Sequence, residues 1–386
     1  MNELQAILKV FEECQQKKED SYLATIVNTQ GSTYRRPGAR MLMTSTGQMV
    51  GAISGGCLEN DVLEHTRQRM PSGRPIVVTY DTTADEDIIW GFGIGCNGVV
   101  QVLIERLARS LNPLPFIQQC FNKRQRGVIA TVFKVEGSVE IAIGARLMLA
   151  SDGSISSDIE DPNLWQTLVY EAKSALHAQQ SNINQYQLPG GSIEVFIEVI
   201  HPPTPLIIFG AGSDAISIVQ FAKALGWQVT VVDCRANEVT RDRFLMADRV
   251  ILTRREMLDK QVSIDLDTVA VVMTHNYFDD LEILKMLLPS SVKYIGILGA
   301  KQRTNEILQQ IHHSKEQLDK LYFPVGLDIG AETPQEIAIA IIAEIQAVLS
   351  NRCGGMLKDR KGSIHQKLTV KVSPVDILKE HYVSTL

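Results

Sequence analysis

No two cysteines in this chain stand at C-x-x-C spacing, and six cysteines spread over 386 residues are too few for a disulfide framework. That excludes a structural zinc ribbon and a stapled secreted scaffold, and it leaves each thiol needing its own account. Basic residues are not in excess: Lys and Arg number 38 against 44 Asp and Glu, a net charge of −6, so no broad surface for nucleic acid is expected. No apolar run approaches the ~18 residues of a membrane span. No early stretch joins a basic start, an apolar segment and a small-residue cleavage site. The expectation is a soluble, cytoplasmic chain that meets neither membrane nor nucleic acid. Its length exceeds what one core comfortably serves, which points to two or three domains.

What the chain does contain is a repeat. The segment ATIVNTQGSTYRRPGARMLMTSTG, Ala24 to Gly47, aligns with ATVFKVEGSVEIAIGARLMLASDG, Ala130 to Gly153. GVVQVLIE, ending at Glu105, matches GSIEVFIE, ending at Glu198. Two copies of a roughly 80-residue unit are too few for a solenoid and imply one domain built from two related halves. ATIVNT, ARMLMTS and QVLIE alternate like strands. CLENDVLEHTRQRM and PNLWQTLVYEAKSALHAQQ are spaced like helices, the second with Asp161 as N-cap and Pro162 behind it. Residues common to both copies, such as Gly38 and Gly144 or Arg40 and Arg146, are most economically structural.

The copies differ where chemistry is expected. Only the first has STYRRPGAR, GAISGGCLE and GFGIGCNG, so Arg35, Arg36, Gly55, Gly56, Cys57, Glu59, Gly95 and Cys96 are the candidates for a ligand site. Glycine is costly inside regular structure, so clusters of it beside thiols imply a guest that approaches bare backbone. A glycine turn offers successive N–H groups to an anion, and two adjacent arginines can clamp a phosphate. Cys57 and Cys96 would bind or carry sulfur, or contact a metal centre, because a thiol near arginine and backbone N–H groups gains thiolate character.

HPPTP, residues 201–205, reads as a linker, after which the character changes. PLIIFGAGSDAISIVQFAKALGWQVTVVDCR is strand, G-x-G-x-x-A turn, helix and strand. Gly210 and Gly212 would admit a phosphate at the following helix N-terminus, and Asp233, about 20 residues on, would accept a ribose hydroxyl. Asp214, inside the turn, is unexpected because a carboxylate there repels phosphate. Later α/β units put His275, Lys301 and Arg303 at strand ends, where open parallel sheets bind ligands. His275 is the candidate acid/base, although a histidine so placed is more often a hydrogen-bonding cap. Lys301 and Arg303 would steady a phosphate or be solvated charges. Thr333, Pro334 and Glu336 open a capped helix.

The predicted class is α/β: a duplicated α+β domain over 1–200 (copies at about 24–105 and 130–198), the linker 201–205, a Rossmann-like doubly wound parallel-sheet domain over 206–352, and a tail over 353–386 that carries no readable chemistry. In combination, GSTYRRPGARMLMTSTG, GAISGGCLE, GCNGVVQVLIE, IIFGAGSDA, MTHNYFDD, YIGILGA and GLDIGAETPQEIAIAI resemble the XdhC/CoxI family of xanthine dehydrogenase accessory proteins over most of the chain. The resemblance implies a cofactor-binding maturation factor that holds molybdenum cofactor, an anionic pterin dithiolene, and passes it in sulfurated form to a molybdenum hydroxylase such as xanthine dehydrogenase. A cysteine desulfurase would be a further partner, and a homo-oligomer is expected. Cys57 and Cys96 would then lie near molybdenum. Ser213 departs from the family, which commonly has histidine after the second glycine. The competing reading is an NAD(P)-dependent oxidoreductase that uses the second domain with NAD(P) or another nucleotide.

Overall fold

A computed structural model describes residues 3–69, 73–82, 98–108, 111–235, 238–361, 364 and 370–374. Two compact units divide the chain: Glu3–Pro202 with the C-terminal strand, and Pro203–Ile364.

In the first unit, the first half runs α1 (Glu3–Lys17), β1 (Ser21–Gly31), β2 (Arg40–Thr44), β3 (Met49–Gly51), α2 (Glu59–Arg69), β4 (Ile76–Asp81) and β5 (Gly98–Arg106). The second half repeats that order as α3 (Pro113–Lys123), β6 (Gly127–Gly137), β7 (Arg146–Ala150), β8 (Ile155–Ser157), α4 (Pro162–Ala178), β9 (Asn182–Leu188) and β10 (Gly191–Ile200). Each half forms its own sheet with the same neighbours, β3-β2-β1-β5-β4 and β8-β7-β6-β10-β9. Even the irregularities are duplicated. The β1–β5 ladder skips Val27 and the β10–β6 ladder skips Phe133, the equivalent position, a bulge that bends each long strand at the same place. Gly38 and Gly144 both turn with positive φ, and each donates its N–H back to its own long strand, at Ile26 and Val132.

The halves bind each other through the residues they share. Arg40 on β2 grips Glu198 on β10, and Arg146 on β7 grips Glu105 on β5, a reciprocal exchange of buried ion pairs. Each guanidinium also donates to the carbonyl of its own turn glycine, Gly38 or Gly144. Gly38 must lack a side chain, since a Cβ there would stand 2.8 Å from Glu198 Oε1. An apolar layer also draws on both halves, including Ile7, Phe11, Leu23, Leu42, Leu114, Ile129 and Met148. The tail is not idle. Its strand β17 (Val370–Pro374) pairs in parallel with β9 and extends the second sheet.

The second unit contains β11 (Pro205–Phe209), α5 (Ser213–Ala224), β12 (Gln228–Asp233), α6 (Val239–Arg243), β13 (Arg249–Leu252), α7 (Leu258–Gln261), β14 (Val269–Val272), α8 (Tyr277–Leu287), β15 (Tyr294–Ile297), α9 (Lys301–Leu308), α10 (Lys315–Leu318), β16 (Leu321–Tyr322) and α11 (Pro334–Leu349). All six strands run parallel in the order β13-β12-β11-β14-β15-β16. With β11 taken as first, this is the 3-2-1-4-5-6 order of a doubly wound nucleotide fold, and strand order reverses between β11 and β14. Two apolar layers sandwich the sheet. One centres on α5 and α11 with Ile218, Ile341 and Ile345, and the other on α8 with Ile283, Leu284 and Leu287. α11 starts with the expected capping box, Thr333 with Glu336. β14 ends at Val272, because His275 adopts φ +58° and Asn276 caps α8 by accepting N–H bonds from Phe278 and Asp279.

Candidate functional site

The loop joining β3 to α2, residues 52–58, has no counterpart of its length in the second half, where 158–161 suffice between β8 and α4. Its ends are anchored by buried Ile53 and Leu58, which pack with Ile26, Met41 and Val62 beneath α2. Between those anchors Gly55, Gly56 and Cys57 are exposed. Gly56 has φ +107°, a conformation open to glycine, and no atom lies within 4 Å of where its Cβ would stand. Cys57 is a free, exposed thiol.

Ser54 and Glu59 hold this loop in shape. The Ser54 hydroxyl oxygen accepts the N–H groups of Gly56, Cys57 and Leu58 at 3.2, 3.0 and 3.0 Å, while its proton goes to Glu59. The Glu59 carboxylate also accepts the N–H groups of Ile53 and Ser54, at 3.1 and 2.7 Å. Burial alone would raise the pKa of Glu59, but these hydrogen bonds outweigh it and hold the carboxyl below its ordinary range. Two sequence expectations change here. The N–H groups expected to form an open anion nest are turned inward onto Ser54, and Glu59 sits as the brace of the loop. Ser54 was missed because nothing in GAISGGCLE distinguishes its hydroxyl from any turn serine.

The arginine segment reaches the same place. The Tyr34 ring lies 3.9 Å from the Cβ direction of Gly55 and is 69% exposed, leaving a flat aromatic surface beside the glycines. Arg35 is forked onto Glu3 of α1, with one bond of 2.9 Å. Arg36 is exposed on the same loop. Gly95 and Cys96 lie outside the described residues. Gly98, which closes the GFGIGCNG stretch, has a structural reason to be bare: a Cβ there would meet the Gln30 and Ser32 carbonyl oxygens at 2.6 Å. Among the described residues no three His, Cys, Asp or Glu side chains gather as a metal cluster. No described helix is long and apolar enough to cross a membrane.

In the Rossmann unit, Gly210 lies hard against β14, since a Cβ there would stand 2.4 Å from the Met273 carbonyl oxygen. Asp214, in the first turn of α5, and His275, after β14, meet across the strand-order reversal, Oδ2 to Nε2 at 2.8 Å. Asp233 is only 3% exposed, and its two oxygens accept the Thr240 hydroxyl (2.6 Å) and the Arg235 N–H (3.0 Å). The carboxylate expected to greet a ribose therefore fastens the loop after β12. Lys301 is exposed at the start of α9. Arg303 pairs with Asp280, a 1% exposed carboxylate that also accepts the Thr274 hydroxyl, so it ties the start of α9 to α8 and the end of β14. Burial pushes the Asp280 carboxyl up, against the pull of Thr274 and Arg303.

The family patterns fall on this architecture. The XdhC and CoxI family pattern matches residues 14–81 and again 120–187, one match in each half of the duplicated unit, and the XdhC Rossmann domain matches 206–345. A Bacillus subtilis relative, named as a probable subunit of xanthine dehydrogenase, is 32% identical over 331 residues, 85% of this chain and 93% of that protein. The chain belongs to the XdhC and CoxI family. The crystal structure of a protein described as a xanthine dehydrogenase, from Bacillus halodurans, superposes with a TM-score of 0.73 at 30% identity and covers 92% of this chain and 97% of that one. An Escherichia coli relative named molybdenum cofactor insertion chaperone PaoD is 20% identical over 346 residues, 89% of this chain and 87% of its own.

Proposed function

We propose that this XdhC-family protein binds molybdenum cofactor on the first half of its duplicated unit and hands it, with sulfuration supplied by a cysteine desulfurase, to a molybdenum hydroxylase. One observation carries the reading. Two halves that agree down to the position of a bulge part company at the loop before α2, and there the first half lifts a thiol, two bare glycines and an aromatic face into solvent. Divergence without function would more readily have filled or shortened that loop.

The donor set suits such a guest. Molybdenum and dithiolene sulfur are soft centres, for which a cysteine thiolate is the matching side chain. Cys57 would stand beside the sulfur end, the open space at Gly56 would admit the ligand against main chain, and the Tyr34 ring would stack on a flat pterin. Arg36 would supply charge for the phosphate tail. When bound, the cofactor contributes the molybdenum–sulfur centre its recipient needs; the protein's part is to hold and shield it. PaoD is named for insertion of this cofactor, which supports a carrier over a turnover enzyme. The NAD(P)-dependent reading has less support, because the turn that would take a diphosphate already holds a carboxylate.

The test is expression in a cofactor-producing host and purification without oxygen, followed by molybdenum analysis and fluorescence of the oxidised pterin. Wild-type protein should carry both. Cys57→Ser and Tyr34→Ala should each carry several-fold less while melting like wild type. Wild-type protein that carries no pterin and takes up none when offered would refute the reading.

A further inference from the structure

We propose that Asp214 is a built-in counter-anion that closes the Rossmann turn to dinucleotide diphosphates, which makes it the specificity-determining residue of the second unit. In a G-x-G-x-x-G/A site the second glycine is bare so that a pyrophosphate can approach the turn, whose oxygens accept N–H groups at the helix start. Gly212 keeps that bareness, but the group that lies over it is the chain's own. The Asp214 Oδ1 atom stands 2.2 Å from where a Gly212 Cβ would be, and it accepts the Ala215 N–H at 3.1 Å. A carboxylate oxygen thus sits where a phosphate oxygen belongs and takes the N–H it would use.

The second oxygen is latched. Oδ2 meets His275 Nε2 at 2.8 Å, and His275 reaches it from a left-handed conformation, φ +58°, that few residues other than glycine adopt. Backbone held in so sparse a region marks a contact that the surrounding fold maintains. Asp233, the carboxylate expected to meet a ribose, already accepts the Thr240 hydroxyl and the Arg235 N–H. The fold of a dinucleotide site is kept, and its diphosphate turn is taken from within.

Calorimetry on the full-length protein with NAD, NADP and inorganic pyrophosphate tests this against Asp214→Ala and Asp214→Asn. Wild-type protein should give no binding heat at millimolar ligand. Asp214→Ala should bind at least one of the three with a gain of about tenfold or more. Asp214→Asn keeps the size and the Ala215 and His275 contacts while it removes the charge, so it answers the question with a smaller gain if the alanine variant does not fold. Wild-type binding tighter than about 0.1 mM would overturn the proposal. So would variants that remain silent while their circular dichroism and melting match wild type.

Discussion

Replacing Glu105 by Gln should destabilise the duplicated unit more than any comparable change on its surface. Its carboxylate is 4% exposed and faces the Arg146 guanidinium, itself 1% exposed. Removing one partner of a buried pair strands the other charge in the interior, at a cost of about 3–5 kcal/mol. The sister pair is wetter, with Glu198 at 12% and Arg40 at 5%, so Glu198→Gln should cost about 2 kcal/mol, below that range. With a urea m-value of about 2–3 kcal/mol/M for a unit of this size, Glu105→Gln should lower the midpoint by about 1–2.5 M. Amide exchange would assign the loss to residues 3–202 rather than to the Rossmann unit. The double variant Glu105→Leu with Arg146→Met buries no charge and should recover most of the loss, since well-packed apolar replacements of buried pairs are often neutral or better. If Glu105→Gln stayed within about 0.5 kcal/mol of wild type, or the apolar double variant were no better than the single, the reciprocal pairs would not be what joins the halves.

Arg303→Met should cost about 3 kcal/mol by leaving buried Asp280 unpaired, and Asp280→Asn in the same chain should return part of it; urea titration reads both. A merely solvated Arg303 would show neither effect. Because its hydrogen bonds depress the Glu59 pKa, the stability Glu59 contributes is present above the unfolded-state pKa and is lost as pH falls through the folded-state value. The stability difference between wild type and Glu59→Gln should therefore shrink at acid pH and vanish once both forms are protonated, as followed by melting temperature across pH. Iodoacetamide at neutral pH should label Cys57 and Cys353, both exposed, ahead of Cys14, Cys120 and Cys234. Burial raises the pKa of all three, to about 11 for Cys120 and about 12 for Cys234. Peptide mass spectrometry of timed samples gives the order, and early labelling of Cys234 would contradict it.

The parts of this protein that were legible in its sequence are those where a residue type answers to local geometry alone. The duplication, the strand–turn–helix around Gly210, the Asp161 cap and the Thr333–Glu336 box all belong to that class, because backbone conformation and capping are set within a few residues. Arg40 and Arg146 could be read as structural because both copies keep them, yet no local pattern says that each reaches across to the other half. Their carboxylates, Glu198 and Glu105, lie 158 and 41 residues away in the sequence and come close only when two sheets pack. Several site candidates turn out to have partners within the chain. Arg35, Glu59, Asp233 and Arg303 are polar groups of the kind that bind ligands, and each is engaged by a partner of its own chain: Glu3, Ser54, Thr240 and Asp280. A charged side chain near a glycine turn can serve a guest or serve the turn, and only its neighbours in space decide which. The same argument reads in reverse for Tyr34 and Cys57, which no fold requirement explains. A large aromatic ring 69% in water and an exposed thiol beside an empty glycine contribute nothing to a core, so their place around a loop that the second half lacks is the reason to look for a ligand there.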